Sequence, residues 1–131
     1  MTALILDTGA LIALDRNDRS VWAMLRNAAD DDSAVSVPAA AIAQAWRDET
    51  RQSLLARALK HCDEVPLDGP LARSSGVLCA AASTTDIVDA SIAVVGGARS
   101  RHGDAAIVTS DPDDLKHLIN VLHARVRVVV I

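Results

Sequence analysis

Short apolar runs alternate with helix-like segments along the whole chain, and that alternation limits the fold more than any other feature. Residues 3–6, 34–37, 64–67, 105–109 and 126–131 read as strands or extended segments. Helical spacing predicts helices over 8–14, 21–29, 38–47, 50–61, 70–82, 86–101 and 111–122. Strands that alternate with helices favour a mainly parallel sheet covered on both faces. At 131 residues, without a repeat or a linker, the expectation is one α/β domain over 1–131.

Local signals sharpen the helix ends. Ser20 is expected to cap the second helix, with Val21, Trp22, Leu25 and Ala28 on its buried stripe. Pro38 suits the first turn of the third helix. Pro66 confines its extended segment to an edge or a strand end. Gly103 suits the residue after the helix that ends near Arg101. Gly96 and Gly97 weigh against that helix running unbroken.

Composition excludes several classes. About half the residues are apolar, so global disorder is not expected. There is no Phe or Tyr, and Trp22 and Trp46 are the only aromatics, so Ala, Val, Leu and Ile must fill the core. A broad base-stacking surface is disfavoured for the same reason. The net charge of −4 lacks the basic footprint of most nucleic-acid binders. Cys62 and Cys79 show no motif spacing and are read as small buried apolar residues. No apolar stretch approaches the ~18 residues of a membrane span. The start runs directly into a strand, so a cytoplasmic protein is expected.

Asp7, Asp89 and Asp111 stand out. Asp7 follows Leu4-Ile5-Leu6, and Asp111 follows Ala106-Ile107-Val108-Thr109-Ser110. Asp86 lies three residues before Asp89, on the same helical face. Each acid has a plain structural role open to it. Asp7, Asp86 and Asp111 can each cap a helix, and Pro112 is well placed behind Asp111. Capping does not explain why acids should gather at the carboxyl ends of neighbouring strands, where open α/β sheets place their sites. Clustered carboxylates repel, and a hard divalent cation relieves the repulsion. Thr8, Thr109 and Ser110 add hydroxyls that can orient carboxylates or water. The four histidines (His61, His102, His117 and His123) are scattered, and no Ser or Cys nucleophile motif is present.

Four segments in order carry a resemblance: Leu6-Asp7-Thr8-Gly9-Ala10-Leu11-Ile12, Val37-Pro38-Ala39-Ala40-Ala41-Ile42-Ala43-Gln44, Asp86-Ile87-Val88-Asp89-Ala90-Ser91-Ile92-Ala93 and Ile107-Val108-Thr109-Ser110-Asp111. Together the chain resembles the PIN domains, and more narrowly the VapC ribonuclease toxins of toxin–antitoxin pairs. The resemblance implies a three-layer α/β/α fold with strand order 3-2-1-4-5. It also implies an endoribonuclease dependent on Mg2+ or Mn2+, usually a homodimer, held inactive by a VapB-like antitoxin. Asp7, Asp89 and Asp111 match the family's acids, as catalytic and metal-binding residues, and Asp86 is an additional candidate ligand. Thr8, Gln44, Thr109 and Ser110 would support them.

Gln44 departs from the pattern, since the family usually has Glu there. Asp48 or Glu49, one turn further along the same expected helix, is a candidate to compensate. Arg99 and Arg101 either form a solvated helix end or hold RNA phosphates near the site's mouth. Two other functions compete. One is a PIN-fold binding module with weak or no catalysis, because of Gln44. The other is a phosphorelay receiver, which also gathers aspartates at strand ends. The receiver needs a late-strand Lys, and no Lys follows Val126.

Overall fold

A computed structural model describes residues 1–131. In chain order the elements are β1 (Ala3–Leu6), α1 (Thr8–Asp15), α2 (Arg19–Asp30), β2 (Val35–Pro38), α3 (Ala39–Ala45) and α4 (Ser53–Leu59). They continue as β3 (Asp63–Val65), α5 (Gly69–Ala82), α6 (Ile87–Ser100), β4 (Ala105–Thr109), α7 (Pro112–Leu122) and β5 (Arg127–Val130). The five strands form one all-parallel sheet of order β3-β2-β1-β4-β5. Each strand-to-strand connection carries at least one helix, as parallel pairing requires.

The middle of the sheet is the core. β1 pairs with β4 in the register Ile5 with Ile107 and Leu6 with Val108. All four side chains are fully buried, as expected for parallel strands covered on both faces. Helices supply apolar stripes at helical spacing: Ala10, Leu11 and Leu14 from α1, Val21, Leu25 and Ala28 from α2, and Leu115, Leu118 and Ile119 from α7. Trp22 packs against the edge of this core, and its indole Nε1 donates to the Leu14 carbonyl at 3.0 Å. Both cysteines are free, and burial pushes the Cys62 thiol up to about 12.

The all-aliphatic core depends on close helix approach. A Cβ on Gly96 would lie 2.9 Å from Ile107 Cδ1 and 3.1 Å from its Cγ1. α6 therefore sits on β4 more closely than a larger residue permits. Gly96→Val is expected to lower the unfolding free energy by about 1–3 kcal/mol through overpacking, read from urea denaturation.

Several helix ends differ from the sequence expectation. Asp18, not Ser20, caps α2: its Oδ1 accepts from the N–H of Ser20 at 2.9 Å and of Val21 at 3.3 Å. A carboxylate two residues earlier took the cap, and Ser20 became a helical residue. Pro38 is the last residue of β2 and precedes α3 rather than opening it from inside. α6 ends at Ser100 and Arg101 is its C-cap, so Gly103 lies two residues past the cap rather than directly after it, with φ of +154°.

The largest difference lies between α3 and α4. α3 stops at Ala45, Trp46 is extended, and α4 begins only at Ser53. Buried Gln52 stabilises the break. Its Oε1 accepts from the N–H groups of Arg47 at 2.6 Å and Asp48 at 2.9 Å. Its Nε2 donates to the Ala45 carbonyl at 2.9 Å. One amide side chain thus satisfies backbone groups that a continuous helix would have paired internally.

Candidate active site

Two turns of the chain meet at the carboxyl end of the sheet. The path runs outward from β1 to β2 and β3, then returns to β4 on the other side of β1. The winding reverses between β1 and β4, which opens a crevice at their carboxyl ends. Asp7 stands directly after β1, and its N–H donates to the Val108 carbonyl at 3.2 Å, tying it to β4. Asp111 stands two residues after β4, and its N–H donates to the Thr109 hydroxyl oxygen at 2.9 Å. Asp86 and Asp89 come in from the first turn of α6.

Capping explains some of these acids and not others. Asp7 caps α1, with Oδ1 accepting from Ala10 N–H at 2.8 Å. Asp86 caps α6, with Oδ1 accepting from Asp89 N–H at 3.0 Å. Asp111 occupies the cap position of α7 but makes no side-chain cap bond. Asp89 lies inside its helix, so a cap does not explain it.

The electrostatics bind them into one group. Asp7 is 6% exposed. Burial raises its pKa above the usual carboxylate range. Hydrogen bonds from the Thr109 hydroxyl and the Ala10 and Gly9 N–H groups oppose that rise, and the Asp111 charge adds to it. Asp89 is pushed up to about 7, first by burial and then by Asp86, with smaller contributions from Asp7 and Asp114. The protein's ion pairs are Arg51–Asp48 and Arg127–Asp104, so no basic side chain neutralises these acids.

Asp114, an acid in the first turn of α7 that the sequence did not single out, is a further member of this group. Its signal was its spacing, three residues after Asp111, the same offset that puts Asp86 and Asp89 on one face.

The other candidates are spread more widely. The Thr8 hydroxyl donates to Gln44 Oε1 at 2.7 Å, so Gln44 touches the residue that follows Asp7. Ser110 packs against the first turn of α1, in space that only Gly9 leaves free, since a Cβ there would collide with Ser110 Oγ. Asp48 does not continue the α3 face. It lies in the irregular segment before α4 and accepts from the Thr50 N–H and hydroxyl, with Arg51 alongside at 3.6 Å. The end of α3 at Ala45 takes both Asp48 and Glu49 off the helix that was expected to aim them at Gln44's neighbourhood. Arg99 and Arg101 stand at the other end of α6, roughly 15–18 Å along its axis from Asp89. Arg99 Nε donates to Ser36 Oγ at 3.3 Å.

The donor set consists of carboxylates with nearby hydroxyls and an amide. All are hard oxygen ligands of the kind Mg2+ and Mn2+ take. As they stand, no three acidic, His or Cys side chains are close enough to grip one ion. The chemistry fits a divalent cation, and side-chain rotation would have to bring the carboxylates together.

No protein-family model and no curated protein matches the chain. Among solved structures, it is similar to a chain of VapBC2 from Rickettsia felis bound to a DNA fragment from their promoter. That match has a TM-score of 0.70 at 16% identity and covers 98% of this chain and 99% of the other. It is also similar to a chain of FitAcB from Neisseria gonorrhoeae, with a TM-score of 0.60 at 17% identity, covering 95% and 96%. At these identities the likeness is one of fold, over nearly the whole chain. No single helix is long and apolar enough to cross a membrane.

Proposed function

We propose that this protein is a divalent-metal-dependent endoribonuclease, a VapC-like toxin restrained by a cognate antitoxin. The observation that carries the reading is the group of mutually repelling, uncompensated carboxylates at the crevice between β1 and β4. Asp7, Asp89 and Asp111 would hold the ion, with Asp86 and Asp114 beside them. Such an ion, when bound, supplies charge neutralisation at the phosphoryl oxygens and an activated water. Asp7 is held in place by its cap bond to the Ala10 N–H, so its carboxylate is oriented before any ligand arrives. The Thr8–Gln44 bond fixes the near wall of the site. The whole-chain likeness to a VapBC2 chain supports the assignment.

The antitoxin would dock on the α1–α2–α4 side. A cleft of about 340 Å³ there is lined by Trp22, Leu54, Arg19, Arg26 and Arg57. A partner segment for it would combine apolar and acidic side chains. The RNA substrate, the homodimer and a cytoplasmic location belong to the same proposal.

A second reading rests on two observations. Gln44 brings no charge to the site, and no three acids are yet within reach of one ion. On that reading the fold serves only to bind a partner. Incubation of the purified chain with RNA, with Mg2+, Mn2+ or EDTA, separates the two. Cleavage that depends on the metal and disappears in Asp7→Asn supports the nuclease. Absence of both cleavage and metal binding supports the binding module.

Gln44→Glu probes the same point. At an effective dielectric of ~20, unit charges ~4 Å apart interact by roughly 4 kcal/mol. Repulsion among the acids and desolvation would remove much of this. A net gain of about 1–2 kcal/mol, or roughly tenfold in metal affinity, is expected by calorimetric titration. Unchanged affinity and unchanged metal-free stability would place Gln44 outside the metal site.

A further inference from the structure

The ends of α6 and α7, with one side of α5, enclose a second cleft of about 680 Å³. It is remote from the carboxylates. Its α6 residues begin at Val94 and its α7 residues at Val121, whereas Asp89 and Asp114 lie in the first turns of those helices. Its floor is apolar: Leu78, Val94, Gly97, Val121 and Ala124. Gly97 lies at the bottom of it, where a Cβ would sit in ordinary van der Waals contact with the Ala124 Cβ at 3.4 Å, so only a larger side chain there would fill the floor. Its rim carries Arg101, His123 and Arg125 and no acid, in a chain of net charge −4. Neither arginine takes part in an ion pair.

The rim has a net sign. The carboxyl ends of α6 and α7 each present about half a negative charge. Two guanidiniums exceed their sum, so the mouth is positive. A concave, mostly apolar volume of this size with a few convergent polar groups is the usual form of a small-molecule site. We propose that this cleft binds a small amphiphilic carboxylate, with its aliphatic body on the floor and its head forked by Arg101 or Arg125.

The test is calorimetric titration of the full chain with decanoate below its micelle concentration, beside decyltrimethylammonium, which carries the same tail with the opposite head charge. The expected result is saturable decanoate binding and none of the cation. The double variant Arg101→Gln with Arg125→Gln should weaken binding about tenfold or more, as loss of charge-assisted bonds does. Gly97→Leu should block it by filling the floor, and circular dichroism checks its fold; the arginine pair carries the test if it does not fold. Equal binding of both amphiphiles, or decanoate binding that ignores the arginine changes, overturns the proposal. So does a dimer in sedimentation that is dissociated by Val77→Glu, at an exposed valine of α5 that lines the cleft, because a second copy would then cover it.

Discussion

Asp89→Asn is expected to make the metal-free protein more stable at pH 8 while removing the proposed ribonuclease activity. Asp89 is raised to about 7 in the folded chain from an ordinary value of 3.8, by burial first and then by Asp86, Asp7 and Asp114. A carboxylate raised on folding binds more protons in the native state than in the unfolded one between those values. Stability therefore falls as pH rises from about 4 to 7 and stays low above that. The raw shift is large, but the side chain is only half-buried and solvent screens it. A discounted penalty of about 1–2 kcal/mol at pH 8 is the reasonable size. Asp104, held at about 2 by Arg127 and Thr2, acts in the opposite direction only at more acid pH, so it leaves this window clear. Urea denaturation of wild type should show lower stability at pH 8 than at pH 5. Asp89→Asn should reduce that difference, leaving the part due to Asp7, whose pKa burial also raises, and added Mg2+ should restore the wild type at pH 8 more than the variant. Cleavage should fall by about a hundredfold or more, equivalent to roughly 3 kcal/mol of lost transition-state stabilisation. A wild type whose stability is flat from pH 5 to 8 would show that the acids do not strain the fold.

Asp7→Asn separates the two tasks of the first carboxylate. Asn keeps an oxygen that accepts from Ala10 N–H, so the α1 cap survives. It removes the negative charge that the crevice would offer to a cation. The expected outcome is stability within about 0.5 kcal/mol of wild type or higher, with metal affinity reduced about tenfold or more. Asp7→Ala should lose a further ~1 kcal/mol of stability, because the cap bond disappears as well. Should Asp7→Asn instead unfold the chain with no loss of metal affinity, the acid would be a capping residue alone.

Both variants address residues visible in the sequence, for a physical reason. For Asp7, an apolar run that ends in Asp marks a strand that ends at a polar crevice; for Asp89, the offset of three from Asp86 marks one helical face, and both patterns are local. The strands of β1 and β4, the helix periods of α1, α2 and α7, and the acids at 7, 86, 89 and 111 were all legible there. The strand order came from the family resemblance that the ordered motifs carry together, and the sheet has that order.

Other features depended on contacts between residues distant in sequence. Arg99 and Arg101 look close to Asp89 along the chain, yet they stand at the opposite end of α6, roughly 15–18 Å away along its axis. Asp48 and Glu49 follow α3 in sequence, but the Gln52 side chain captures the backbone there and ends the helix. No local pattern reports that competition, because it depends on which buried polar group finds a partner. Asp114 joined the acidic group because α7 packs beside α6, which brings its first turn toward Asp89. The residue types and their periods were enough to specify strands, helices and where acids end them. Which acids share a field, and which side chain breaks a helix, was decided by packing, since burial and repulsion act across space rather than along the chain.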